Sequence, residues 1–295
     1  MSEPRDLLGV RLSSPDKILW AEQGVTKAEL ADYYIAVAGR ILPHVARRPV
    51  TLVRCPVGAE KKCFYQRHVA SGVLPQLKEI TVPGFDEPYL YIEDAAGLVA
   101  AVQMGTLELH PWGVTVEEPG RPDRLIFDLD PAEGLGFEAV VRAALDVRDR
   151  LAALGLESFV KTTGGKGLHV VVPIAPDVEW REAKAFTKRV AEIMSQERPD
   201  LYLARISKAE RAGRIFIDYL RNDPTSTAVG AYSTRNRAGA PVSLPIAWDQ
   251  VAPGLDPAAF HVRTVPGLVA STPDPWARIG EVRQQLAPAV AQLGR

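Results

Sequence analysis

The run RLIFDLDPAEG, residues 124–134, constrains this chain more than any other stretch. If 125–130 is a β-strand, alternation sends Leu125, Phe127 and Leu129 to one face and Ile126, Asp128 and Asp130 to the other. Two carboxylates side by side are costly to bury unless something positive neutralises them. The same conflict recurs in RIFIDYLRND, where Phe216 and Asp218 share a face away from Ile215 and Ile217. A single acid at a strand end is ordinarily solvated or paired with arginine. An i, i+2 pair plus a third acid on another apolar strand points instead to a divalent cation, Mg²⁺ or Mn²⁺, which takes oxygen ligands. Two such ions can clamp the attacking and leaving oxygens of phosphoryl transfer. D-x-D spacing by itself also fits a glycosyltransferase.

The rest of the chain supplies a mixed frame for these acids. Thr26 to Glu29 has capping-box spacing, and Leu30, Tyr33, Tyr34, Val37 and Ile41 follow at helical intervals. The first 45 residues therefore read as helical after a short lead. Strands are expected at 50–54, 79–82, 88–92 and 106–110, with a helix at 95–103. After the acids, Phe137, Val140, Val141, Ala144, Val147, Leu151 and Leu154 form one helical stripe, and Trp180, Ala183, Phe186, Val190, Ile193 and Met194 another. β-rich runs at 158–161 and 168–172 flank TTGGKG and suggest a hairpin. Residues 236–275 are Pro-rich and read as irregular, with a closing helix at 276–293. Strands and helices without a βαβ rhythm give an α+β fold. We read one domain over 1–295, with an N-terminal part of about 1–105, a core of about 106–245 and a remainder of about 246–295.

A net charge of −1 does not advertise a nucleic-acid binder, so any such role rests on local patches. Arg47, Arg48, Arg54, Lys61, Lys62 and Arg67 form one, interleaved with Phe64 and Tyr65. Arg205, Lys208, Arg211 and Arg214 form another. Basic runs are usually solvated faces, but interleaved aromatics are what stacking on single-stranded ends requires. Two cysteines, Cys55 and Cys63, give neither a disulfide framework nor a four-ligand zinc site, which suits a reducing cytoplasm. The N-terminus lacks a basic segment followed by an apolar one, and no run approaches the ~18 apolar residues of a membrane span.

KTTGGKGLH, residues 161–169, is not a Walker A motif, since the G-x-x-x-x-G-K-[ST] order is missing. As a turn it presents backbone N–H groups and Lys166 to phosphates, or it is simply a glycine turn with an exposed lysine. His110 and His169 sit in strand-like runs, where a histidine is more often a satisfied core residue than a catalyst. Arg221 and Arg235, just past Asp218, have the chemistry to hold a triphosphate; the bland alternative is a surface or carboxylate pair.

Five segments, LELHPWG, FDLDP, KTTGGKGLHVVVP, FIDYLRND and AYSTRNRAGAPVS, occur in this order with a spacing that resembles the polymerase domain of bacterial DNA ligase D. That domain belongs to the archaeo-eukaryotic primase superfamily, which has standalone primase-polymerase relatives. The similarity runs from LSSPDKILW to RAGAPVSLPIAW, most of the chain. It implies a primase-polymerase core with antiparallel sheet, and Asp128, Asp130 and Asp218 as catalytic acids for two Mn²⁺ or Mg²⁺ ions. It further implies that His110, Arg221 and Arg235 act around the incoming nucleotide. Thr163, Lys166 and His169, with Arg54, are expected to bind it. Lys17 and Lys27 match lysines that hold the 5′-phosphate at a gap, Phe64 matches an aromatic that packs on template, and Arg211 is expected on DNA. Where the family often has Asn and Ser, this chain has Ser14 and Thr163.

By that resemblance the substrates are NTP or dNTP and DNA with gaps or double-strand breaks. The partners are Ku and a DNA ligase, and the location is the cytoplasmic nucleoid. No K-x-D-G ligase motif or nuclease segment is read, so the polymerase part alone is expected. The expected function is gap filling and 3′-end extension during nonhomologous end joining, with ribonucleotides favoured. De novo priming and a non-catalytic DNA-end-binding module are the rivals; a buried acid triad argues against the second.

Overall fold

A computed structural model of the chain describes residues 3–206 and 211–293. It contains two compact units, neither continuous in sequence. The first takes residues 1–117, 227–244 and 258–274, and the second takes 118–226, 245–257 and 275–295. The first unit thus extends past the expected boundary near 105 and regains two later segments.

A six-stranded sheet forms the second unit, in the order Tyr202–Leu203, Ile215–Asp218, Arg124–Pro131, Leu168–Pro173, Phe159–Thr162, Pro245–Ile246. All neighbours are antiparallel except the first pair. The acid strand is central, and its alternation is as expected: Leu125, Phe127 and Leu129 are fully buried, while Asp128 is half-buried and Asp130 exposed. The helices Phe137–Ala153 and Trp180–Glu197 pack on the sheet through the two apolar stripes read from the sequence. Each fully buried Val, Leu or Phe contributes about 1.5–3 kcal/mol, which is why the apolar face sets the register that the acids then inherit.

The expected hairpin is present, Phe159–Thr162 against Leu168–Pro173. Its turn requires Gly167, because a Cβ there would stand 2.5 Å from the Leu129 carbonyl oxygen. The closing helix is a correction: only Ala287–Leu293 is helical. Upstream, the Trp276 indole N–H donates to Val160 O at 3.0 Å, and the Gln284 amide donates to Glu157 O and Pro173 O, both at 2.9 Å. Tertiary anchors of this kind tie the segment to the sheet and override its local helical pattern.

Helices, short hairpins and a three-stranded antiparallel sheet, Phe64–Gln66, Val50–Arg54 and Thr106–Pro111, make up the first unit. Thr26 caps as expected: its hydroxyl accepts the Glu29 N–H at 3.2 Å and the Glu29 carboxylate accepts the Thr26 N–H at 2.8 Å. The helical stretch is divided at Val37 into Lys27–Ala36 and Ala38–Val45. The lead forms two hairpins, Arg5–Leu7 with Val10–Leu12 and Ile18–Trp20 with Val25–Thr26. Gly9 and Gly24, at φ +75° and +62°, make those turns possible. Within the Pro-rich segment expected to be irregular lie a short strand, Pro245–Ile246, and a helix, Val265–Ser271. Among the described residues no helix is long and apolar enough to cross a membrane.

Candidate active site

Register places one ionisable residue on each of four adjacent strands of the second unit. Asp218 lies opposite Asp128, Asp128 opposite His169, and His169 opposite Lys161. Directly opposed residues share a face with Cβ atoms about 5 Å apart, so the row is one electrostatic system. Arg221 spans both acids, with Nε 3.4 Å from Asp128 Oδ2 and a terminal nitrogen 3.3 Å from Asp218 Oδ2. His169 Nε2 is 3.3 Å from Asp128 Oδ1. Arg211 reaches Asp130 at 2.8 Å and lies over the Phe216 ring, 4.4 Å from its centroid. The two arginines answer the charge problem posed by the acid strand.

The two opposed acids differ electrostatically. Burial pushes the Asp128 carboxyl up, but His169, Arg221 and Lys161 outweigh it and hold it well below the usual range. Asp218 is raised, by burial first and then by Asp128 and Asp130, with Arg221 only partly offsetting them. Burial, with Lys161 and Arg221, pushes His169 down to about 4 against the pull of Asp128, so it is neutral at pH 7.

Asn222 fixes the loop that carries Arg221. Its side chain accepts the Ile126 N–H at 2.7 Å and donates to Ile126 O and Tyr219 O, both at 2.8 Å. The amide thereby replaces a strand partner for Ile126 and ties the end of the Asp218 strand to the acid strand. In the hairpin turn, the Thr163 hydroxyl donates to Gly167 O at 3.1 Å and accepts the Gly167 N–H at 3.3 Å, while Lys166 is exposed.

Whether divalent ions fit here is a question of donor chemistry. Among the described residues no three His, Cys, Asp or Glu side chains stand ready-made around a common ion; Asp130 meets Arg211 instead. The donors nevertheless suit Mg²⁺ or Mn²⁺: three carboxylates on two paired strands, with like charges that raise Asp218.

In the first unit, Glu108 gathers a second group. Its Oε2 meets His110 Nε2 at 2.6 Å and Arg235 Nε at 3.0 Å, and its Oε1 accepts the Asn236 N–H at 2.9 Å. Burial raises the Glu108 carboxyl, but His110, Arg235 and Asn236 bring it down to about 2.

The same unit has a cavity of about 370 Å³, lined by Ser13, Ser14, Lys17, Lys27, Arg54 and Gln103 among others, with no acid among the described lining residues. Lys17 donates to Pro56 O, and Lys27 donates to Ser13 O at 3.0 Å and Gln103 Oε1 at 2.7 Å. Burial, reinforced by Lys17, pushes Lys27 down to about 8. Arg54 thus lies on the wall with Lys17 and Lys27, and its guanidinium sits 5.2 Å from the centroid of the half-exposed Phe64 ring. Cys55 and Cys63 form a disulfide, contrary to expectation. Arg54 pairs with Phe64 in the sheet, so the next residues outward face each other. The cysteine content therefore gives no argument about compartment.

Structure brings Asp128, Asp130, Asp218, Arg221, Arg211 and His169 into one cluster, His110 and Arg235 into a second, and Lys17, Lys27 and Arg54 into a third. Lys208, of the second basic run, lies outside the described residues. Sequence reading missed Glu108, Asn222, Gln103 and Lys161. For Glu108 a signal existed, since an acid two residues before His110 shares its strand face. Gln103 and Asn222 gave none, because their partners are 76 and 96 residues away.

The model of the LigD primase-polymerase domain matches residues 26–276. The Multifunctional non-homologous end joining protein LigD of Pseudomonas aeruginosa is 36% identical over 293 residues, covering 97% of this chain and 35% of that protein. The protein of that name from Mycolicibacterium smegmatis is 37% identical over 258 residues, with 86% and 34% covered. This chain therefore spans about a third of the curated relatives it matches. Among solved structures, the polymerase domain from Mycobacterium tuberculosis ligase D in complex with DNA superposes with a TM-score of 0.86 at 33% identity, over 93% of this chain and 99% of that one. With the family model matched over most of its length and its fold shared with that polymerase domain, this chain belongs to the LigD primase-polymerase domains.

Proposed function

We propose that this chain is a template-dependent nucleotidyltransferase that fills gaps and extends 3′ ends during nonhomologous end joining, favouring ribonucleotides. The observation that carries the reading is the in-register pair Asp128–Asp218, with Asp130 on the same strand as Asp128. Those three acids would hold two Mn²⁺ or Mg²⁺ ions, whose chemistry is to offset triphosphate charge and make the 3′-hydroxyl a better nucleophile.

The chain's own groups do the remaining work. Neutral His169 orients Asp128, Arg221 and Lys166 supply positive charge for the triphosphate, and Thr163 shapes the turn that presents Lys166. His110 and Arg235 engage the nucleotide, His110 having the polarity to read a 2′-hydroxyl. Lys17, Lys27 and Arg54 make an acid-free cationic cavity suited to a terminal 5′-phosphate. Phe64 offers a stacking face for template, and Arg211 completes the contacts to DNA. The phosphate cavity favours gap filling over de novo priming, which presents no such end. Ku and a DNA ligase are the partners, and the cytoplasmic nucleoid is the location.

Incorporation of labelled nucleotides into a gapped duplex tests this reading. Template-matched addition, faster at a 5′-phosphate than at a 5′-hydroxyl gap and lost selectively in Lys17→Ala, Lys27→Ala, is expected. Addition indifferent to template sequence would refute it.

A further inference from the structure

Glu108 is only 3% exposed, yet it is an ionised acid receiving three donors, one from its own strand and two from the distant segment at Arg235 and Asn236. Stability gives a weak reason for such an arrangement, since a buried ionic group is often no more stabilising than apolar side chains of similar volume. Its geometry has a more specific consequence. A carboxylate only accepts, so His110 must present a proton on Nε2, which fixes both its tautomer and its ring plane. The second donor to the same oxygen, Arg235 Nε, fixes the guanidinium plane. Asn236 N–H on Oε1 prevents the carboxylate from rotating away from both. His110 and Arg235 side chains each remain 14% exposed, so this buried anchor carries two groups that reach the surface.

We propose that Glu108 is a positioning residue for nucleotide addition, setting His110 and Arg235 in the orientation that engages the incoming nucleotide. It acts through them and touches no substrate itself. An arginine and a histidine held before the nucleotide arrives lose less side-chain freedom on binding it, so the effect falls on nucleotide affinity. The inference rests on the reading that His110 and Arg235 handle the nucleotide.

The test is steady-state addition to a gapped duplex by Glu108→Gln, with KM for the nucleotide and kcat measured separately. The expected result is a KM raised about tenfold or more, with the Kd for gapped DNA unchanged. A purely structural residue would lower the active fraction, and hence the apparent kcat, at constant KM; that pattern overturns the proposal. Glu108→Asp keeps the charge one methylene back and should raise KM less than Gln does. If Glu108→Gln does not fold, an unchanged KM in Glu108→Asp overturns the proposal equally. His110→Ala and Arg235→Ala separate the two levels. If both add nucleotide normally, the underlying reading fails; if both are impaired while Glu108→Gln keeps its KM, only the positioning role fails.

Discussion

Asp128 was legible because alternation in an apolar run leaves an acid few explanations, whereas Lys27 became interpretable only in its cavity. The Lys27 ammonium is depressed to about 8, so it is mostly charged at pH 7 and mostly neutral at pH 9. Preference for a 5′-phosphate over a 5′-hydroxyl gap, measured by competition binding, should therefore fall as pH rises from 7 to 9. Stability moves the other way: between about 8 and the ordinary lysine value the unfolded chain binds more protons than the folded one, so this group adds stability as pH rises. A 5′-phosphate preference constant across that range would remove Lys27 from the proposed phosphate site. Beside it, Ser14 sits at φ +49°, a left-handed conformation that asparagine tolerates better. Ser14→Asn should raise Tm, and a lower Tm would show that the hydroxyl has a role of its own.

At the scale of elements, the hairpin around TTGGKG and both amphipathic helices were readable because each has its own periodicity or turn signal. The N-terminal hairpins were not, since three-residue strands are too short to show a period. Nor was the closing segment, where Trp276 and Gln284 find backbone partners more than 100 residues away. Asn222 is the same kind of residue. Asn222→Ala leaves the part-buried N–H and C=O of Ile126 without that partner and should cost about 1–3 kcal/mol in chemical denaturation. Gly167→Ala forces a Cβ against Leu129 O and should cost a similar amount, about 1–3 kcal/mol, while disturbing the Thr163 turn. A Gly167→Ala protein with unchanged midpoint would mean that the turn relaxes without strain.

For the whole molecule, α+β class and family were legible from five ordered motifs, but the two-unit division was not. A chain that leaves one unit and returns to it twice makes contacts that no local pattern records. The acid row depends on the same long-range order, since Asp128 faces Asp218 on one side and His169 on the other only because three strands pair in one register. That row is where polymerase chemistry is proposed to reside, and single-turnover addition to a 5′-phosphorylated gap by Asp128→Asn with Mn²⁺ supplied tests it most directly. Asparagine keeps the shape and removes the charge, so addition should fall about a hundredfold or more while gapped-DNA binding and Tm stay close to those of the unmutated protein. Near-normal addition by Asp128→Asn would contradict the assignment of the acid row as the catalytic centre.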